Sequence, residues 1–159
     1  MKTRKPLTPE AAQIRAEELC ASAEHSSGEI REKLLKWGVF PGDAERIVAA
    51  MIKTRFIDDA RFARAYVRDK IEFSRWGKRK VALGLYQKKV SREIIKDTLD
   101  DVDDEKYKEA LRMAIASKKR TMSEPDTYEG RTKLFRFAAS RGFEPDIIIA
   151  VLREKDDAY

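Results

Sequence analysis

The chain reads Gly77-Lys78-Arg79-Lys80-Val81, and 53 positions later it reads Gly130-Arg131-Thr132-Lys133-Leu134. The same spacing relates Ile94-Ile95 to Ile147-Ile148 without a gap. An earlier copy has the matching apolar positions, with three extra residues around a Pro-Gly turn: Ile30, Leu34, Val39 and Ile47. Self-similarity at a fixed period of this size is typical of repeat proteins, whose units pack on their neighbours. The sequence therefore predicts a tandem array.

The composition favours helices over a sheet. Charged residues make up 39% of the 159 positions, while 7 glycines and 5 prolines leave few tight turns. Helix starts are indicated by Thr8-Pro9-Glu10 and by two capping boxes, Ser26–Glu29 and Asp126–Glu129. We predict an all-α fold of three tandem three-helix repeats that form an elongated, curved array. The repeats cover residues 1–55, 56–103 and 104–159.

Charge is separated into blocks along the chain, whose formal net charge is +6. Residues 68–92 contain nine basic and two acidic residues, and residues 112–141 contain eight basic and three acidic ones. Residues 93–109, between them, contain eight acids and three lysines. Such blocks indicate that one surface of the molecule binds a polyanion and that another surface binds a basic partner.

The sharpest local pattern is Arg75-Trp76-Gly77-Lys78-Arg79-Lys80. Its cations surround a glycine, which would let the backbone approach a ligand, and an indole that could stack on a base. The next helix would direct its free N-terminal amides at the same ligand, for which phosphate is the natural choice. The alternatives are a solvated basic helix and, for Trp76, packing between repeats. Phe73 is expected on the apolar stripe of the preceding helix, with Phe62 and Tyr66.

No enzyme chemistry is indicated, and we predict no catalytic residue, no metal site and no cofactor. The aspartate pairs Asp58-Asp59 and Asp100-Asp101 fit helix caps and a solvated acidic turn, because neighbouring residues on a helix point in different directions. His25 is the only histidine, so a catalytic triad lacks its usual members. A metal-dependent nuclease that uses the aspartate pairs is the enzyme alternative.

The single cysteine, Cys20, excludes an internal disulfide and fits a reducing compartment. The longest apolar runs, Ile47–Ile52 and Ile147–Leu152, are far shorter than the roughly 18 residues that a membrane span needs. We therefore expect a cytoplasmic protein without a membrane partner, and a monomer.

Three stretches resemble the RecX family, the regulators of the RecA recombinase: Phe56–Lys70, Trp76-Gly77-Lys78 and Ser140-Arg141-Gly142-Phe143. The resemblance extends from Thr8 to Leu152 and is most specific in the middle repeat. The chain departs from the family at Lys88-Lys89-Val90, where members usually have a glycine before the apolar residue. The form of that turn is therefore open.

The resemblance implies a non-enzymatic protein that lies in the groove of a RecA filament on single-stranded DNA and inhibits ATP hydrolysis, strand exchange and repressor cleavage. The charge blocks fit this role, because cations would meet DNA phosphate and the acidic stretch would meet basic filament surfaces. A helical-repeat protein that binds single-stranded or duplex DNA without a recombinase is the other hypothesis. The residues expected to bind DNA or the recombinase are Arg68, Lys70, Arg75, Trp76, Lys78, Arg79 and Lys80, followed by Arg131, Lys133 and Arg141.

Overall fold

The computed structural model describes residues 5–154, and this part of the chain forms nine α-helices and no strand. The all-α prediction is confirmed, while the exact limits of the repeats stay a prediction. The helices are α1 (Pro9–Ser22), α2 (Ser27–Lys36), α3 (Pro41–Lys53), α4 (Asp59–Glu72), α5 (Lys78–Gln87), α6 (Arg92–Asp100), α7 (Asp104–Lys119), α8 (Tyr128–Ser140) and α9 (Pro145–Arg153).

The helix starts follow the predicted caps with one exception. Thr8 Oγ1 accepts a hydrogen bond from the Ala11 N–H at 3.2 Å, and Ser26 and Glu29 form the predicted reciprocal capping box. The second predicted box is wrong, because α8 begins one residue later than that box requires. Its N-cap is Thr127, whose Oγ1 accepts from the Gly130 N–H at 3.0 Å and donates to the Glu124 carbonyl at 2.9 Å. A hydroxyl can do both, whereas an ionised aspartate only accepts.

Buried apolar side chains form two clusters in the described residues. The first lies within α1 to α3 and the residues that follow α3, and it centres on Ile30, Leu34 and Met51, all fully buried. The second is shared by α4 to α9 and includes Val81 and Leu134, which occupy equivalent repeat positions. The second and third repeats therefore share a core, as expected for units too small to be robust alone.

The two junctions between repeats have hydrogen bonds at equivalent positions, with a side-chain donor at one and a backbone donor at the other. The Lys88 carbonyl, just after α5, accepts a hydrogen bond from Ser26 Oγ at 2.5 Å. The Arg141 carbonyl, just after α8, accepts one from the Gly77 N–H at 2.7 Å. In each case the start of one repeat's second helix rests on the turn that follows the second helix of the next repeat. This serial contact is the basis of the array.

At the two ends of the array, other segments of the same chain contact the positions that contact a neighbouring repeat at the junctions. The Trp37 carbonyl, just after α2, accepts a hydrogen bond from the Leu7 N–H at 3.0 Å, and Pro6 lies against Gly38. At the other end, the carbonyls of Glu124 and Pro125 lie so close to Gly130 that a Cβ there would come within 2.2 Å of the Glu124 oxygen. We call these two contacts the end caps.

The turn at Lys89 has the same form as its equivalents despite lacking glycine. Lys89 has φ of 62°, in the left-handed region, and Gly38 and Gly142 have φ of 89° and 95° at the matching positions. The departure from the family pattern therefore changes the residue and leaves the turn unchanged. A side chain in this region costs about 1–2 kcal/mol, and the protein retains this strain at Lys89.

We expect Lys89→Gly to have a free energy of unfolding up to about 1 kcal/mol higher than Lys89→Ala, because only glycine relieves the left-handed backbone. Both variants lose the ion pair between Lys89 Nζ and Glu32 Oε1 at 2.9 Å, so their difference isolates the backbone effect. Urea unfolding of the two variants measures it. Equal stability, or a more stable alanine variant, would contradict the expectation.

Candidate nucleic-acid interface

The loop between α4 and α5 brings the predicted cations to the start of α5. Backbone N–H groups there already donate hydrogen bonds to residues of the third repeat. The Gly77 N–H donates to the Arg141 carbonyl, the Arg79 N–H donates to the Gly142 carbonyl at 3.0 Å, and the Lys78 N–H donates to the Tyr107 hydroxyl at 2.9 Å. The expectation that these amides bind phosphate is therefore wrong, since each already has a partner. An anion at this position would therefore depend on side chains and not on these three amides.

Glycine is needed at position 77 because a neighbouring repeat packs closely against its backbone, and not because a ligand approaches it. A Cβ at this position would lie 2.2 Å from the Gly142 carbonyl carbon and from the Phe143 nitrogen, both backbone atoms that cannot move aside independently. The sequence correctly marks a close backbone approach at this glycine. The approaching group is the turn after α8.

Tyr107 fixes the geometry of this junction. Its side chain is only 1% exposed, and its hydroxyl accepts from the Lys78 N–H and donates to Glu144 Oε1 at 2.8 Å. Burial raises the pKa of the Tyr107 phenol well above its usual range, so the hydroxyl keeps the proton that it donates to Glu144. One side chain thus links α5, α7 and the start of α9.

Trp76 is half-buried and packs against the shared core of the second and third repeats. Two ammonium groups also lie over its ring, Lys70 Nζ at 4.8 Å and Lys80 Nζ at 4.3 Å from the centroid. This arrangement supports the alternative interpretation, in which Trp76 packs between repeats. The indole also holds two of the predicted cations in place through cation–π contacts.

The predicted cations that remain without a carboxylate partner surround the end of α4 and the start of α5. Within residues 5–154, five cations of this region make no ion pair, and a sixth, Lys70, has only its neighbour Asp69 at 3.9 Å. We call these six residues the central cationic surface. They are Arg68, Lys70, Arg75, Lys78, Arg79 and Lys80.

Exposure differs among the members of this surface. Arg68 and Arg79 are exposed, whereas Lys78 is half-buried with its Nζ 5.0 Å from the centre of the Tyr107 ring. Lys78 therefore does not simply face solvent, because its ammonium group lies over a buried aromatic ring. Arg68 and Arg79 are the members that a large polyanion reaches most directly.

The predicted cations of the third repeat lie on α8 and on the turn that follows it. Lys133 and Arg131 are exposed, and the Arg131 guanidinium donates to the Asp126 carbonyl at 3.4 Å. Arg141 is half-buried, with its guanidinium carbon 5.1 Å from the centre of the Phe137 ring. These cations extend the positive charge onto the third repeat.

Two other lysines of the basic block have structural partners. Lys88 Nζ lies 3.4 Å from Glu29 Oε2, and Lys89 Nζ lies 2.9 Å from Glu32 Oε1, so both pairs join the first and second repeats. The hydrogen bond from Lys89 lowers the pKa of Glu32 below its usual value. The basic block therefore divides into a part at the junction of repeats and the central cationic surface.

The aspartate pairs take part in helix capping and interface contacts. Asp58 caps α4 by accepting from the Arg61 N–H at 3.0 Å, and Asp59 accepts from the Ser27 N–H and hydroxyl at 2.7 and 2.6 Å. Asp100 pairs with Lys96 at 2.8 Å. In the described part of the chain, no group of three or more His, Cys, Asp or Glu side chains is placed to hold a metal ion. Nor is any helix there long and apolar enough to cross a membrane.

Two strongly exposed aromatic side chains beside the basic segments were not identified as candidates from the sequence. Phe73 is 76% exposed, although its spacing from Phe62 and Tyr66 predicted an inward position. The backbone of Phe73 is still helical, with its N–H donating to the Asp69 carbonyl, so its exposure shows that the elements packed on the apolar stripe of α4 do not extend over this C-cap residue. Tyr128, the first residue of α8, is 84% exposed.

These features define a class, the all-α proteins built from three-helix repeats, here with a cationic middle unit. Models of the second and third three-helix domains of RecX match residues 58–99 and 104–152, which correspond to α4–α6 and α7–α9. The chain belongs to the RecX family of regulatory proteins.

Curated relatives carry the name regulatory protein RecX. That of Clostridium botulinum strain Eklund 17B is 31% identical over 128 residues, covering 79% of this chain and 59% of the relative. That of Lactobacillus johnsonii is 27% identical over 128 residues, covering 80% of this chain and 47% of the relative. The chain thus spans about three fifths or less of the length of these relatives.

Solved structures show the same fold. The crystal structure of RecX from Lactobacillus salivarius superimposes with a TM-score of 0.85 at 22% identity, covering 93% of this chain and 96% of that one. A second crystal structure of a regulatory protein RecX gives a TM-score of 0.79 at 18% identity, covering 97% of this chain and 82% of that one. The helical-repeat architecture predicted from the sequence is confirmed.

Proposed function

We propose that this protein is a non-enzymatic regulator that binds in the groove of RecA filaments on single-stranded DNA. Bound there, it inhibits ATP hydrolysis, strand exchange and coprotease activity, and so modulates DNA repair and the SOS response in the cytoplasm. The observation that carries the proposal is the central cationic surface, in a chain that belongs to a family of regulators. Its Arg68 and Arg79 are exposed and free of carboxylate partners among the described residues.

Side-chain cations without internal partners favour a polyanionic ligand, because neutralising phosphates releases condensed counterions. The exposed acids around α6 and the start of α7, including Asp101 and Asp104, supply charge of the opposite sign. They would face basic surfaces of recombinase protomers while the cations face DNA. A linear array suits such a ligand, since successive repeats can contact successive units of a filament.

The test is DNA-dependent ATP hydrolysis by preformed RecA filaments on single-stranded DNA. We expect addition of the protein to lower the hydrolysis rate at amounts well below one protein per RecA protomer, because one bound array bridges several protomers. The matched control is the same titration with the charge-reversed variant described in the Discussion. Unchanged ATP hydrolysis at saturating protein would reject the proposal.

The second candidate is a DNA-binding repeat protein without a recombinase partner. The same central cationic surface favours it, since phosphate attraction does not require RecA. This function predicts tight binding to free single-stranded or duplex DNA that weakens steeply with salt, together with normal ATP hydrolysis by the filaments.

A further inference from the structure

Three aromatic side chains of the described residues are more than three quarters exposed: Phe40 at 77%, Phe73 at 76% and Tyr128 at 84%. Exposed apolar residues are common on proteins and mean little singly. Two of these three, however, lie next to cations proposed to bind phosphate. Phe73 is two residues before Arg75, and Tyr128 is about one helical turn before Arg131 in α8.

Of the other large rings of this region, Tyr86 in α5 is 59% exposed, and three others have cationic partners. These three make cation–π contacts. The Trp76 ring contacts Lys70 and Lys80, the Tyr107 ring contacts Lys78, and the Phe137 ring contacts Lys118 and Arg141. Within residues 5–154, the rings of Phe73 and Tyr128 have no aromatic or cationic neighbour and lie outside both core clusters. Their faces are therefore open to a ligand.

We propose that Phe73 and Tyr128 stack on unpaired bases of a single strand whose phosphates are bound by the adjacent cations. Stacking suits any base sequence, because every base has a π-face, and it favours single strands, because a duplex keeps its base faces covered. Each ring is near a cation in the chain, Phe73 near Arg75 and Tyr128 near Arg131, so each pair offers one group for a base and one for a phosphate. This inference rests on the proposed function only in requiring that the cationic surface binds nucleic acid.

The experiment compares two fluorescently labelled strands of equal length by anisotropy, a thymidine oligonucleotide and an abasic oligonucleotide with the same phosphates. We expect Phe73→Ala and Tyr128→Ala each to weaken binding of the thymidine strand about tenfold and to leave binding of the abasic strand unchanged. Phe40→Ala is the matched control, since its ring is equally exposed but lies in the first repeat, and we expect it to change neither affinity. All three side chains are at the surface, and far-UV circular dichroism checks the fold.

Several outcomes would overturn the inference. They are wild-type affinity of both variants for the thymidine strand, equal weakening on both strands, and failure of the wild-type protein to bind the thymidine strand at all. Reduced inhibition of RecA filaments with unchanged strand binding would instead assign the two rings to contact with the recombinase. The proposed function is judged separately: it stands if the wild-type protein inhibits ATP hydrolysis, and it fails if the protein does not, whatever the stacking result.

Discussion

Reversing the charges of Arg68 and Arg79 together is expected to weaken binding to RecA–DNA filaments about 100-fold at low salt and to remove inhibition of ATP hydrolysis at concentrations where the wild type is effective. Both side chains are exposed and make no ion pair in the described part of the chain, so the change acts on the ligand and not on the fold. Glutamate at position 79 lies in the first turn of α5, where a negative charge is favourable for the helix.

Binding measured by anisotropy over a range of salt concentrations gives a second readout of the same variant. Loss of two phosphate contacts should reduce the slope of log affinity against log salt by about two. Arg68 and Arg79 are a better pair than Lys78 and Arg79, because the Lys78 ammonium lies over the Tyr107 ring and a charge change there would disturb the junction of repeats.

The control for this variant is the double change Lys36→Glu and Lys53→Glu in the first repeat. It alters the net charge by the same amount at two exposed positions distant in sequence from the central cationic surface. We expect this control to retain most of the inhibition. If both double variants lose inhibition equally, binding depends on net charge alone and the central cationic surface has no special role.

Gly77→Ala is expected to lower the free energy of unfolding by about 3 kcal/mol. The added Cβ would lie 2.2 Å from backbone atoms of the turn after α8, so that turn must move away from α5. The displacement breaks the hydrogen bond between the Gly77 N–H and the Arg141 carbonyl and disturbs the one between the Arg79 N–H and the Gly142 carbonyl. Urea unfolding followed by circular dichroism measures the loss.

Gly42→Ala is the matched control. Gly42 lies in the first turn of α3, and a Cβ there meets nothing within 4 Å. The same substitution should therefore raise stability slightly, by roughly 0.4–1 kcal/mol, because alanine restricts the unfolded chain and favours the helix. A Gly77→Ala variant as stable as the wild type would show that the junction between the second and third repeats is loose.

The fold was largely predictable from the sequence, because the features that determine it are local. The repeat spacing, the apolar positions such as Val81 and Leu85, and caps such as Ser26 depend on residues within one or two helical turns. The second capping box at Asp126 failed for a local reason as well, since Thr127 offers both a donor and an acceptor. A one-residue choice of this kind is seldom decided by pattern alone.

The candidate site was only partly predictable, because its geometry depends on contacts between repeats. The basic segment was visible in the sequence, but nothing near Gly77 shows that the Arg141 and Gly142 carbonyls will accept hydrogen bonds from the N–H groups of Gly77 and Arg79. Likewise, the partners of Trp76 become clear only when α4 and α5 are in place. Phe73 is exposed because the elements that pack on α4 do not extend over its C-cap residue, and a pattern within one helix does not show where its neighbours end.

The end caps determine how the array can associate. The Leu7 N–H donates to the Trp37 carbonyl, and the Glu124 and Pro125 carbonyls lie against Gly130. Another copy would need these same groups to add head to tail, and each already has an intramolecular contact. A further molecule could add through these junction contacts only by displacing the two segments. Such an exchange replaces intramolecular contacts with intermolecular ones, so the net gain in free energy is small. These contacts favour the monomeric state that we expect from the sequence, because they block head-to-tail growth through the junction contacts.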